Sequence, residues 1–297
     1  SPYTLPGSGG TRIPIKFVLA KRDTACNASN GIIRKNGSVL ASYNAGGIET
    51  PGGGFTGGET DATIKALSRW NNTLYYNIYI VNKKDGVNGY AGSGSFTAGY
   101  AYPPVSPVQY SVDGAVVLAS QVFDYANNVT LAHEVGHAFG LQHTFEGDLN
   151  GTTCPPNLDC TLDGDGICDT DPHIRSPFTC PTGTNPCTGN AYGDVVHNFM
   201  DYSNCQDRFT PGQRAKMMFN LKSHLARSGF LTSLGATAPP ATSLVSSCTT
   251  SINPANASTA ISFNNGPRKI VIADPASMTV KDTFFHVESG GYSDGGA

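Results

Sequence analysis

Residues 133 to 143 read HEVGHAFGLQH, and the spacing of this stretch decides how the rest of the chain is read. On a helix His133 and His137 stand one turn apart and face the same way, so both can reach one ion while Glu134 projects beside it. Gly140 lets the chain leave the helix at positive φ and swing His143 back as a third ligand. Three neutral imidazoles and an open fourth position describe a zinc centre able to acidify a water and polarise a carbonyl. Glu134, not needed as a ligand, is placed to take that water's proton and pass it to a leaving amine. A helix with two satisfied histidines and an unrelated third leaves the combined spacing without a reason.

Upstream, RIPIKFVLA at 12 to 20 reads as a buried strand, and the Gly-rich stretch from 46 to 58 as a loop. Thr60 can cap a helix whose apolar face carries Ile64, Leu67 and Trp70. LYYNIYIV at 74 to 81, FTAGYAYPP at 96 to 104 and DGAVVLASQVF at 113 to 123 are three further strand candidates. Asn127 or Asn128 can cap the helix of the motif, which should run to about Phe139.

Downstream, regular periodicity vanishes from 146 to 192, a stretch rich in Asp, Pro, Gly and Cys, so disulfides, bound ions or both must order it. Thr210, Pro211 and Gln213 then open a helix with a capping box, and Met217, Met218, Leu221 and Leu225 form its apolar stripe to an end near Ser228. We expect a catalytic domain over 1–235, its upper part ending at about residue 143 and its lower part covering 144–235. Residues 236–297 read as a linker and β-rich segment, either the start of a second domain or an extension stapled by Cys248, with Cys26 as one candidate partner.

Composition narrows the partners. A net charge of -3, 14% charged residues and no Lys/Arg cluster offer no footprint for nucleic acid or an anionic membrane surface. No apolar run approaches the roughly 20 residues that span a bilayer, and Ser1-Pro2 does not open like a signal peptide, so a soluble mature monomer is expected. Eight cysteines, six of them between Cys154 and Cys205, point to disulfides in an oxidising compartment, hence a secreted protein; a structural zinc site is the competing reading, although no CxxC pair is present. Asp163, Asp165, Asp169 and Asp171 with Thr170 gather hard oxygen donors for calcium, against the simpler alternative of solvated Asp-Gly turns.

HEVGHAFGLQH resembles the extended zinc signature of the metzincin proteases, whose sites also rest on a methionine turn. NFMDYS at 198 to 203 looks like that turn. The likeness implies Met200 as the apolar floor under the imidazoles and Tyr202 as the hydroxyl that stabilises the oxyanion. GDGICDTDP at 164 to 172, GDVVHNFMDYS at 193 to 203 and RFTPGQRAKM at 208 to 217 narrow the resemblance to the pappalysin family, in particular its small ulilysin-like and mirolysin-like members, over about residues 11 to 230. It implies a metzincin fold of the α/β (α+β) class. A twisted five-stranded sheet and the active-site helix would lie above a cleft, with an irregular, disulfide-rich C-terminal subdomain below.

The same resemblance implies a calcium ion near Asp165, Asp169 and Thr170, and the disulfides Cys160–Cys187 and Cys180–Cys205, which leaves Cys154–Cys168. Small members favour a basic residue just after the scissile bond through an acid near the methionine turn. Here Asn204 stands at that place, with Asp207 and Arg208 following, and these are the specificity positions carried over. Latency segments are usual in the family; the only cysteine before the motif is Cys26, so the chain resembles an activated form. The function implied is a secreted zinc-dependent endopeptidase acting on proteins or peptides. A zinc-binding adhesion module and a hydrolase of non-peptide amides are the alternatives from other classes, separable by incubation with a denatured protein.

Overall fold

Ala115–Leu118 (β3) has all four residues buried, which is what a strand needs when both of its edges and both of its faces are covered. The computed structural model, which describes residues 9–90, 96–105, 109–123, 129–239, 268–273 and 280–287, places it at the centre of a three-stranded sheet. Ile78–Val81 (β1) runs parallel to it with Ile78 opposite Ala115, and Gly99–Ala101 (β2) antiparallel with Tyr100 opposite Val116. Among the described residues the order β1-β3-β2 makes β2 an edge.

The expected five-stranded sheet is thus smaller among the described residues, and 12–20 is not one of its strands. Pro14 lacks an N–H for a ladder, and the flanks of the segment are held elsewhere: Thr11 donates to the Phe209 carbonyl and Lys21 to that of Gly235. Ile13 is buried in the lower core with Ile15 against it, whereas Phe17, Val18 and Leu19 stay exposed.

Thr60 caps Asp61–Ala66 (α2), which follows the short helix Ala41–Gly46 (α1), by accepting the Thr63 N–H. Trp70 lies beyond α2, its N–H given to the Asn77 side chain. Beyond β3 come Ser120–Phe123 (α3) and the active-site helix Thr130–Ala138 (α4). Val129 is its N-cap; Asn127 and Asn128 lie outside the described residues. At its C-terminus Gly140, at φ +91°, donates to the His137 carbonyl and Leu141 to that of Gly136. This is the paired closure that a left-handed residue permits.

Pro211–Ser223 (α5) starts on the capping box of Thr210 and Gln213. It ends sooner than the stripe predicts: His224 is extended and Leu225–Ser228 (α6) begins anew, leaving Leu225 exposed. Two apolar clusters flank α4. The upper gathers Ile48, Ile64, Tyr79, Val81, Val116 and Leu118; the lower joins Phe139 and Leu141 to Met200, Phe209 and Met217. Arg22 donates to the carbonyls of Thr237 and Ala238, so the chain stays attached to this unit past the expected boundary at 235. Further on, Arg268–Ala273 (β4) and Val280–Val287 (β5) pair antiparallel, and Cys248 lies outside the described residues.

The disulfides depart from the pairing implied by resemblance. Cys180 joins Cys205, but Cys160 joins Cys168 and Cys154 joins Cys187. The reason is local. Gly164 and Gly166 both adopt positive φ, and Asp163 accepts the N–H groups of Leu158 and Asp159. That folds the 160–168 loop until its two cysteine Cα atoms are 4.9 Å apart, within bonding reach, and Cys154 is left for Cys187.

Candidate active site

His133 and His137 project from α4, and the turn through Gly140 returns His143 to them. The Nε2 atoms of His133 and His143 each lie 3.1 Å from Nε2 of His137. His133 Nδ1 meets the Phe199 carbonyl at 2.6 Å and His137 Nδ1 the Leu141 carbonyl at 2.8 Å. A carbonyl only accepts, so each Nδ1 donates and each Nε2 keeps its lone pair for an ion. Burial, reinforced by the neighbouring imidazoles, pushes His133 down to about 3 and His143 to about 2; burial also lowers His137. Three neutral nitrogens converging on one point, two of them oriented by carbonyls behind, fit zinc. Cys180, His197 and Cys205 also cluster, but the disulfide ties up both sulfurs, so the competing zinc reading of these cysteines fails.

Met200 is fully buried below the histidines, and a Cβ at Gly136 would overlap its sulfur, so α4 rests on the methionine through its own glycine. The Met200 N–H donates to Asn198 Oδ1 at 2.9 Å. Asn198 and Gln213 exchange two amide hydrogen bonds of 2.9 Å each, and Gln213 also accepts the Thr210 N–H. The methionine turn is therefore pinned to the capping box of α5. The Tyr202 ring lies 4.9 Å from that of His143 and 5.8 Å from that of His133. Burial raises its pKa, which keeps the hydroxyl a donor.

Glu134 is buried, with Oε2 unpartnered. Desolvation pushes its carboxyl up to about 8, opposed by the charge of Lys84. A carboxyl beside the three imidazoles can accept a proton and return it. Gly99 of β2 packs against it: a Cβ there would stand 3.0 Å from Oε1.

The acidic loop gathers fewer donors than its composition offers. Thr170 Oγ1 donates to Asp165 Oδ1 at 2.8 Å and also lies 2.7 Å from the Ile167 carbonyl, so carboxylate, hydroxyl and carbonyl oxygens share one spot. Burial holds Asp165 up at about 6. Asp169 and Asp163 are engaged elsewhere. Asp169 accepts from Thr210 Oγ1 and the Gly212 N–H at the start of α5, while Asp163 closes its own loop. A hard cation suits the Asp165, Ile167 and Thr170 oxygens; Asp169 is near enough for its charge to raise the Asp165 carboxyl, while its oxygens accept from Thr210 and Gly212. Asn204 gives its side-chain N–H to the Phe178 carbonyl, and Asp207 pairs with Arg208, so neither presents a free acid.

Phe145 has no counterpart among the sequence expectations. It stacks on His143 at 4.7 Å and 7° and meets Tyr202 edge-on at 4.8 Å. The Arg175 guanidinium covers it at 4.7 Å, held by Asp148 through Nε and Nη2. A second unpredicted brace is buried His173, 3.2 Å from Asp201 beside Met200. An aromatic residue two positions after the third histidine is the only sequence signal for Phe145; nothing local marks Arg175 or His173.

Residues 58–222 match the family described as Peptidase_M43, pregnancy-associated plasma protein-A. An extracellular metalloprotease of Podospora anserina is 33% identical over 168 residues, 53% of this chain and 50% of that protein. Extracellular metalloprotease 1 of Coccidioides posadasii is 39% identical over 131 residues, 40% of this chain and 43% of its own. The chain thus spans about half the length, or less, of these curated relatives. Mature mirolysin of Tannerella forsythia, solved with a cleaved peptide, superposes with a TM-score of 0.54 at 24% identity, covering 78% of this chain and 79% of that one. That likeness shows a shared fold.

Proposed function

The chain belongs to the Peptidase_M43 family, and from that premise we propose that it is a secreted zinc-dependent endopeptidase that hydrolyses peptide bonds in proteins. The observation that carries this is the convergence of three neutral Nε2 atoms beside a buried carboxyl with an unpartnered oxygen. His133, His137 and His143 would hold zinc, which when bound supplies the Lewis acidity that acidifies water and polarises a carbonyl. Glu134 takes the proton from the attacking water and delivers it to the leaving nitrogen. The Tyr202 hydroxyl donates to the oxygen on which charge develops. An extended substrate lies along the outer edge of β2, its main chain pairing with that strand as it passes Glu134. Secretion is supported by the disulfides and by relatives named as extracellular.

Calcium bound by the Asp165 carboxylate, the Ile167 carbonyl and Thr170 would brace the loop whose next turn, through Asp169, caps α5. A calcium-chelator titration at constant zinc should lower activity without removing zinc; unchanged activity sinks this part. With Asn204 an amide and Asp207 paired to Arg208, a selective preference for Lys or Arg after the scissile bond is not expected, which peptide-library profiling checks. Glu134→Ala decides the main reading. Zinc should remain and casein cleavage should fall by about 10^2 to 10^4-fold; cleavage near the wild-type rate would mean that another group is the base.

A further inference from the structure

β2 turns its two faces to different tasks. Gly99 lies against Glu134, while Tyr100 and, one residue past the end of β2, Tyr102 point to the other side. Both hydroxyls converge on one carboxylate: Tyr100 donates to Asp61 Oδ1 and Tyr102 to Oδ2. Asp61 sits in the first turn of α2 and pairs at 2.9 Å with Lys65, one turn further on. Lys65 is fully buried, donates to the Val112 carbonyl at 2.6 Å, and lies 4.4 Å and 5.2 Å from the ring centres of Tyr102 and Tyr100. A second buried cation, Arg227, reaches the Tyr102 carbonyl at 3.0 Å.

Such a cluster is a poor way to gain stability, because desolvating an ion pair offsets most of its attraction and apolar side chains would fill the space at least as well. It provides direction instead. Apolar contact leaves a strand free to slide, whereas three donors meeting on one carboxylate hold Tyr100 of β2 and Tyr102 just past its end at a set height. Both tyrosines stay protonated, since burial and the Asp61 charge raise their pKa values, so they remain donors.

We propose that Asp61 is a positioning residue for substrate binding: through Tyr100 and Tyr102 it holds the outer edge of β2 where an extended peptide pairs with it while passing Glu134. The inference rests on the peptidase reading above and adds the group that sets the affinity of the cleft edge. Asp61 touches neither substrate nor metal-binding histidine, so its removal should act on the pairing of the peptide main chain and leave the proton transfer alone.

The test uses the full chain and two synthetic peptides with the same scissile bond, one long enough to run along β2 and one cut short on that side. Asp61→Asn should raise KM for the long peptide about tenfold, the effect of roughly one hydrogen bond. Its kcat should stay within about twofold, the short peptide should be cleaved as before and zinc content should be unchanged. The pair Tyr100→Phe with Tyr102→Phe, which keeps the Asp61–Lys65 ion pair, should show the same length-dependent loss, and it decides alone if Asp61→Asn does not fold. Equal losses on both peptides, or an unchanged KM on the long one, overturn the proposal while wild-type cleavage that Glu134→Ala abolishes keeps the peptidase reading intact. If the zinc-loaded wild type cleaves neither peptide, both fall.

Discussion

Above the active-site helix the chain is ordered by ladders and an apolar cluster around buried β3; below it, residues 146–192 form no helix and, apart from the bridge of Thr184 to Ala191, no strand pairing. That lower stretch is held by disulfides and by side chains bonded to main chain, such as Asp163 to Leu158 and Asn185 to the Pro172 carbonyl. The site straddles the two regimes. α4 brings Glu134 and two histidines from the packed side, while Met200 and Tyr202 come from the turn that follows the cross-linked stretch and is tied to it by Cys180–Cys205. Activity therefore depends on joints between the regions as much as on either one.

Arg227 is a buried joint with partners on several elements, and breaking it should have the largest effect. From α6 it donates to the Ala138 carbonyl at the end of α4, to both oxygens of buried Asp113 and to the Tyr102 carbonyl beyond β2. Arg227→Met strands Asp113 and should cost about 3 to 5 kcal/mol in denaturant unfolding; a cost under 1 kcal/mol would show that the regions cohere without it. Next come the bridges. Replacing Cys154 and Cys187 by serine opens a separation of 33 residues and should cost about 3 to 4 kcal/mol, against about 2 to 3 for Cys160 and Cys168 with a separation of 8. Both variants should keep the far-ultraviolet circular dichroism of the upper region while limited proteolysis cuts the lower. Non-reducing peptide mapping checks the pairing directly.

A smaller effect is expected where α4 meets the methionine. Gly136→Ala forces a methyl group into the Met200 sulfur and should cost about 1 to 3 kcal/mol, together with weaker zinc retention in a chelator competition. The smallest belongs to Asp169→Ala, which removes a cap from α5 and should lower stability by about 1 kcal/mol. A drop well above that, with calcium present, would return Asp169 to the ion site.

What could be read from the sequence was what depends on near neighbours. The three histidines, Glu134, Gly140 and the capping box of Thr210 and Gln213 lie within a turn or two of one another, so helical spacing alone places them. Residues 12–20 have the composition of a strand, but a strand exists only with a partner, and composition names none. Cys160 has four other cysteines nearby in sequence, and only the turn at Gly164 and Gly166 selects Cys168. Gly136 looks like an ordinary motif glycine until the Met200 sulfur, far along the chain, is found beneath it. Arg175 and His173 escaped notice for the same reason: their partners, Asp148 and Asp201, are distant in sequence.

The reciprocal amide pair of Asn198 and Gln213 has a consequence in time. A chain made from its N-terminus exposes all three histidines well before Gln213 exists, and until then Asn198 lacks the partner that fixes the turn carrying Met200. The metal-binding cradle is thus finished only when the first turn of α5 has emerged and folded. A nascent chain that stops short of that turn carries the catalytic motif without the support that shapes it.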